Sequence, residues 1–473
     1  MEKPILKISR VIAVFLVVFA LFSQSIIARS SSQSITETPI KHVIYIMMEN
    51  HSFDNFFGNY PLGDTNSSNS DIEKPLNLLD NTSDVPTLTQ LPAGTVNTSD
   101  PHESVYPEDY ANGTNSGFLQ YSGPQAMTYF TNAQIPVEWD WAIDYGLGDN
   151  YFSTVLSETT PNRLMSVAGY TPIMSDEGPP PYVPFNATIF YQLSERGISW
   201  GAYNTYDDDY PMDFYSGITN YSSNFHSLND LYETLEGPNL PSLVYVNSLE
   251  SQSEDQHPSG NVTQGETWLL GIVNHIMASP YWNSTVIFIN YDEGGGYYDQ
   301  VPPPQLDGYQ LGFRVPLIVI SPYSKENYVS NTELNHLSIL AFIEYNWNLP
   351  PLNSLVAASK IPIDFFDWSV VRPPVMFENY SAFPVSPQIA FDSLPYARNG
   401  SSDLSLGASS SETASSSQST SAQPGTTTSS LVVATPSGST SSATMISPAY
   451  LLVISVAVSV MASLVLIRKR IGG

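Results

Sequence analysis

His42 to Met48 reads HVIYIMM, a continuous apolar run that stops at two polar groups, Glu49 and Asn50. A run of this length without polar alternation predicts a strand buried on both faces. Three runs of the same kind follow: Leu243 to Val246, Thr285 to Asn290 (TVIFIN) and Val315 to Ser321 (VPLIVIS). Helical spacing falls between or after them. Gln264 to Ser279 carries Trp268, Leu269, Ile272, Ile276 and Met277 near one helical face, and His336 to Trp347 carries Leu340, Ile343 and Glu344. Short apolar strands alternating with helices predict an α/β protein, an α/β/α sandwich around a mostly parallel sheet. In such sheets ligands bind beyond the carboxyl ends of the strands. Residues 59 to 135 and 170 to 240 are rich in Pro, Gly, Asn, Asp and Tyr and read as long insertions over one face.

Composition narrows the partners. The 473 residues contain 16 Lys and Arg against 45 Asp and Glu, a formal charge of −29. Such acidity disfavours nucleic acid, whose phosphates need cationic neutralisation, and whole-surface docking on anionic lipid. With no cysteine, a disulfide scaffold, a thiolate metal site and a cysteine nucleophile are all excluded. Charged residues are 13% of the chain and hydrophobic ones 42%, enough for a large core.

Both termini carry membrane signals. A basic start (Lys3, Lys7, Arg10), an apolar run from Val11 to Phe22 and a polar exit predict a signal peptide over 1–29. Ala449 to Ile467 is free of charge and is followed by Arg468-Lys469-Arg470, which predicts a C-terminal membrane-spanning helix over 448–468 with a cytoplasmic basic end. Residues 398–447 form a Ser/Thr-rich stalk; 26 of the 48 residues from Gly400 to Ser447 are Ser or Thr, too polar to bury a core. Ten Asn-x-Ser/Thr sites between Asn66 and Asn399 add N-linked glycans to the expected O-linked ones. The expectation is a cell-surface protein whose folded body, residues 38–397, faces outside.

Two of the apolar strands end in acids: the first in Glu49-Asn50, the third in Asp292-Glu293 ahead of Gly294-Gly295-Gly296. One acidic pair after a strand is usually a turn or a helix cap. Two pairs at one predicted face would repel unless a cation neutralises them. Carboxylate and amide oxygens are hard ligands that suit Mg²⁺, Ca²⁺ or Mn²⁺, and a histidine would admit Zn²⁺. A third segment, Thr159-Thr160-Pro161-Asn162-Arg163, precedes a helical stretch from Leu164 to Ala168. A hydroxyl there is commonly an N-cap; the other reading is a metal-activated nucleophile.

Ile40 to Tyr60 (IKHVIYIMMENHSFDNFFGNY) resembles the opening motif of the phosphoesterase family that holds bacterial phospholipases C and acid phosphatase A. The likeness continues through Thr159-x-Pro161-Asn162-Arg163-Leu164, His257-Pro258 with Gly265-Glu266, Tyr291-Asp292-Glu293, Tyr298-Asp299, Val301 to Pro304, Gly312 to Pro316 and His336-x-Ser338. The motifs stand in family order. The resemblance implies an alkaline-phosphatase-like fold and cleavage of phosphate esters. It implies Glu49, Asn50, Asp292 and Glu293, with Thr159, as ligands of a divalent metal. It implies Thr159 as the hydroxyl nucleophile, and His102, His257 and His336 as histidines that bind phosphoryl oxygens or protonate the leaving alcohol. The chain departs from the family pattern at His51, Gly294 and Gln300. His42, His226 and His275 read as structural, at a strand edge, in a loop and on a helix face. The leading expectation is a metal-dependent acid phosphatase with a phosphothreonyl intermediate. The alternatives are a phospholipase C that cleaves lipid headgroups and a non-catalytic surface glycoprotein.

Overall fold

The computed structural model describes residues 36–58, 60, 89–90, 105–132, 134–176, 178–204, 214–248 and 254–376. The expected signal peptide, stalk and membrane helix, His102, and residues 377–397 of the expected folded body lie outside them.

Among the described residues, eight strands form the main sheet: β1 (His42–Met48), β2 (Gly146–Gly148), β3 (Trp200–Tyr203), β4 (Phe225–His226), β5 (Leu243–Asn247), β6 (Thr285–Tyr291), β7 (Leu317–Ile320) and β8 (Tyr328–Ser330). Their order is β8-β2-β7-β6-β1-β5-β3-β4. From β6 through β1, β5 and β3 to β4 every pairing is parallel. Only β7 runs antiparallel to its neighbours, β6 and β2. The sheet is thus mostly parallel, as the run of apolar strands implies.

The helices used below are α1 (Phe53–Phe57), α2 (Pro136–Asp144), α3 (Thr159–Ala168), α4 (Ile189–Glu195), α5 (Leu228–Glu236), α6 (Val262–Ala278) and α7 (His336–Asn346). They pack in two sets. α3 touches α4 and α7, while α6 touches α2 and α5. Successive side chains of β5 and β6 are all buried, and those of β1 are buried after His42. Because successive strand residues point to opposite faces, both faces of the central sheet are covered.

Two sequence expectations need correction. Residues 170–240 are not merely an insertion: they supply β3, β4, α4 and α5 to the sandwich. His226 consequently lies in a short edge strand, not a loop. Gly146-Leu147-Gly148 is a sheet strand although glycine disfavours strands. A Cβ on Gly146 would stand 2.5 Å from the Phe365 ring and one on Gly148 3.2 Å from Leu317. Close packing selects glycine at both positions, and local propensity gives no hint of it.

Candidate active site

The parallel run β5-β1-β6 brings three polar strand ends to one edge of the sheet. Register pairs Met47 with Asn247 on one side and Met48 with Tyr291 on the other. The residues that follow, Glu49 and Asp292, therefore emerge side by side, next to Asn247. The Asp292 amide donates to the Met48 carbonyl (3.1 Å), and the Asn50 amide donates to Asp292 Oδ1 (3.1 Å). Asp292 Oδ1 also accepts from the Glu293 amide at 2.7 Å. Glu49, Asn50, Asp292 and Glu293 are all buried.

Asn50 adopts a left-handed backbone (φ 57), a conformation that Asn tolerates better than most residues. Gly295 lies against it, also left-handed at φ 62; a Cβ there would stand 2.0 Å from the Asn50 carbonyl oxygen. Gly295→Ala is therefore expected to displace Asn50. The variant should lose more than about 1 kcal/mol of stability, together with most activity. Thermal unfolding and an ester-hydrolysis assay check this, and wild-type values in both would contradict the geometry.

One cation at these strand ends belongs to the chain itself. Arg163, fully buried on α3, donates to Glu49 Oε1, to Asn247 Oδ1 and, through Nε at 3.3 Å, to Asp292 Oδ2. One guanidinium thus spans the ends of three adjacent strands, a match to its planar fork of donors. Removing it would leave buried carboxylates without compensation.

Thr159 is the first residue of α3, whose N-cap is Glu158. The N-cap reading of its hydroxyl does not hold, because Thr159 Oγ1 donates to Glu49 Oε2 at 3.2 Å. Thr159 is half-buried, and so is His257; the carboxylates beneath them are buried. The His257 Nδ1 lies 2.9 Å from the Pro258 carbonyl, which can only accept, so Nδ1 carries the proton and Nε2 accepts from the Asn50 side-chain Nδ2 at 3.0 Å.

Two other site expectations are placed differently. The Glu293 carboxylate turns to the Tyr106 hydroxyl and the Gly295 amide. His336 is fully buried at the end of β6. Its Nε2 donates to the Tyr291 carbonyl at 2.9 Å, and burial pushes the imidazole down to about 4. A buried ring in that position holds the end of β6. Sequence reasoning passed over Asn247, although it ends an apolar strand in the same way as Glu49 and Asp292. It also passed over Asp176, whose carboxylate accepts from the Thr160 amide at 2.7 Å and so caps α3 from a distant loop. No local pattern marks Asp176.

Among the described residues no group of three or more His, Asp or Glu forms a ready-made metal cage. The donor chemistry still fits a hard cation. Glu49, Asn50, Asp292 and Thr159 offer oxygen donors, and Arg163 supplies one positive charge to the acids at the two strand ends.

Residues 40–350 match the model of the Phosphoesterase family. The chain belongs to that family. It is a hydrolase of phosphoric ester bonds. It is 28% identical to non-specific phospholipase C3 of Arabidopsis thaliana over 387 residues, covering 68% of this chain and 72% of that protein. It is 26% identical to phospholipase C B of Mycobacterium tuberculosis over 394 residues, covering 67% and 75%. Among solved structures, this phosphoesterase is similar to the phosphonate monoester hydrolase of Agrobacterium radiobacter, with a TM-score of 0.37 and 9% identity over 69% of this chain and 77% of that one.

Proposed function

We propose that this phosphoesterase is a phospholipase C, which cleaves the bond between diacylglycerol and the phosphorylated headgroup, and not the acid phosphatase first expected. The phospholipase C names of its relatives favour this substrate class. The observation that carries the reaction is the half-buried Thr159 hydroxyl, aimed at Glu49 from the N-terminus of α3 and not spent on capping it.

In this reading Thr159 Oγ1 gives its proton to Glu49 and attacks phosphorus. A Thr159–phosphorus bond forms as the phosphorus–glycerol oxygen bond breaks, and the leaving oxygen takes a proton from solvent at the open, His257 side of the site. Water then attacks the phosphothreonyl ester and releases the phosphorylated headgroup; Glu49 returns its proton to the departing Thr159 oxygen, and the proton lost by the water goes to solvent. Arg163 keeps Glu49 and Asp292 in place during both steps. A divalent cation held by Glu49, Asn50, Asp292 and Thr159 would supply charge neutralisation at the phosphoryl oxygens and a more acidic hydroxyl. The signal sequence, glycosylation sites and C-terminal apolar segment support a cell-surface location with the body outside.

The substrate class is tested with the purified protein and phosphatidylcholine in mixed micelles, beside p-nitrophenyl phosphate. The expected result is release of phosphocholine with a kcat/KM at least about tenfold above that for the monoester. Hydrolysis of the monoester alone would return the protein to the phosphatases.

A further inference from the structure

Behind the site lies a buried polar cluster that the reaction as described does not use. It joins Tyr291, next to Asp292 in sequence, to Gln256, next to His257. The Tyr291 hydroxyl is 2.7 Å from Glu138 Oε1 and also bonds Gln256 Oε1. The Gln256 side-chain amide donates to Glu138 Oε2 (3.3 Å) and to the Val262 carbonyl (3.1 Å). All three residues are buried. The backbone carbonyls of this cluster bond two buried histidines next to the site residues in sequence or space. The Tyr291 carbonyl accepts from His336, and the Gln256 carbonyl lies 2.8 Å from His51 Nε2. Gln256 itself is held at φ 68, a left-handed conformation that needs support for a residue with a side chain.

Counting protons decides the state of this cluster. The Tyr291 hydroxyl has one proton and two acceptor oxygens within bonding distance. Gln256 Oε1 cannot be a donor, because the Gln256 nitrogen is identified by its bond to the Val262 carbonyl. Both bonds exist together only if Tyr291 donates to Gln256 and Glu138 donates to Tyr291. We propose that Glu138 is a positioning residue that works as a neutral carboxylic acid: it donates to the Tyr291 hydroxyl, which in turn clamps Gln256, and so holds Asp292 and His257 at their working separation.

The surroundings agree. Glu266 on α6 faces Glu138, and its Oε1 accepts the amides of Val137 (2.5 Å) and Glu138 (3.2 Å) at the start of α2. Two amides at a helix N-terminus favour a carboxylate. Burial and the neighbouring Glu138 push the Glu266 carboxyl well up too, but its Oε1 already accepts two amides while Glu138 Oε1 must donate to Tyr291, so the proton count leaves the remaining negative charge on Glu266. Burial pushes the Glu138 carboxyl up to about 7. Asp140, further along α2, adds negative charge on the Glu266 side. His51, with its ring 5.9 Å from that of Tyr291, is pushed down to about 4 by burial and does not titrate in the same range. Loss of the Glu138 proton as pH rises through neutrality would break one bond of the clamp and loosen both catalytic loops.

The test is a pH profile of kcat for the full-length protein, wild type against Glu138→Gln and Glu138→Ala, on the chromogenic phosphodiester p-nitrophenylphosphorylcholine. Glutamine keeps an N–H donor towards Tyr291 and an oxygen towards Gln256, but cannot lose a proton near neutrality. Wild-type kcat should fall above about pH 7, by up to about tenfold per unit for one proton. Glu138→Gln should remain within about twofold of wild type at pH 6 and show no such fall to pH 8.5. Glu138→Ala should lose about tenfold or more in kcat at every pH, with KM little changed. An alkaline fall in Glu138→Gln like that of wild type, or wild-type kcat in Glu138→Ala, would overturn the proposal. An infrared measurement needs no substrate and so stands apart from the phospholipase reading. The carboxylic acid C=O band of the wild type at pH 6 should weaken in Glu138→Gln, and an unchanged band would equally overturn the proposal.

Discussion

Thr159→Ala is expected to lower kcat by on the order of 10³-fold or more, with an unfolding midpoint close to that of the wild type. The stability half follows from what the hydroxyl does not do. α3 begins at Thr159 but is capped elsewhere, by Asp176 at the Thr160 amide, so deleting Oγ1 costs the helix no cap. Thr159 is half-buried, so the deletion opens no deep cavity. The activity half follows from the removal of the only atom proposed to bond phosphorus. Thr159→Ser keeps an oxygen on the same Cβ and should retain a substantial fraction of the rate. A quench experiment with a phosphodiester labelled in its headgroup should trap a covalent ester on wild type and Thr159→Ser, and none on Thr159→Ala. If the alanine variant keeps more than about a tenth of the wild-type kcat, the hydroxyl is not the nucleophile.

Arg314→Met is expected to produce the largest loss of stability, about 3–5 kcal/mol. Arg314 is buried between two buried aspartates. It donates through Nη2 to Asp54 (2.8 Å) and through Nε to Asp299 (3.0 and 3.1 Å), and also to the Asp149 carbonyl (2.8 Å). Its guanidinium stacks 4.3 Å over the Phe53 ring. Methionine restores the volume but leaves two carboxyls without their counter-charge. Burial already raises the Asp54 carboxyl, and the neighbouring Asp299 raises it further.

The sign of the pH dependence follows from this direction. The folded-state pKa lies above that of the unfolded chain, so the native state binds more protons, and stability falls as pH rises through the folded value. Without Arg314 both carboxyls shift further in that direction. The deficit of Arg314→Met should therefore be smaller at pH 5 than at pH 8. Denaturant midpoints for both proteins at the two pH values check this, and an equal deficit at both would remove the electrostatic explanation.

These two arginines show where sequence reading reaches its limit. Each is one letter in a motif, and a lone Arg is compatible with a surface salt bridge, a phosphate contact or a core cation. What makes Arg163 central is that α3 crosses the edge of the sheet where β5, β1 and β6 end, a matter of packing between elements more than 80 residues apart. The same holds for Glu138 and Glu266. Their carboxyls meet because α2 and α6 lie together, and neither local pattern predicts it. β2, β3 and β4 escaped notice for a related reason. Their glycines and aromatics have weak or mixed preferences, and pairing with distant strands overrides these.

The sequence by itself determined the central strands, the mostly parallel sheet, the membership of the chain in a phosphoesterase family and the two pairs of polar residues that follow β1 and β6. Those properties are written in contiguous runs, because an apolar stretch that must be covered on both faces and an abrupt polar stop need no distant partner to be read. Tertiary structure alone decided which of the candidate residues share an environment. It set Arg163 among the acids, aimed Thr159 at Glu49, buried His336 at the strand end and turned Glu293 towards Tyr106. Burial and hydrogen-bond distance are properties of the folded chain, and they fix the charge and the role of each side chain only once the helices have packed on the sheet.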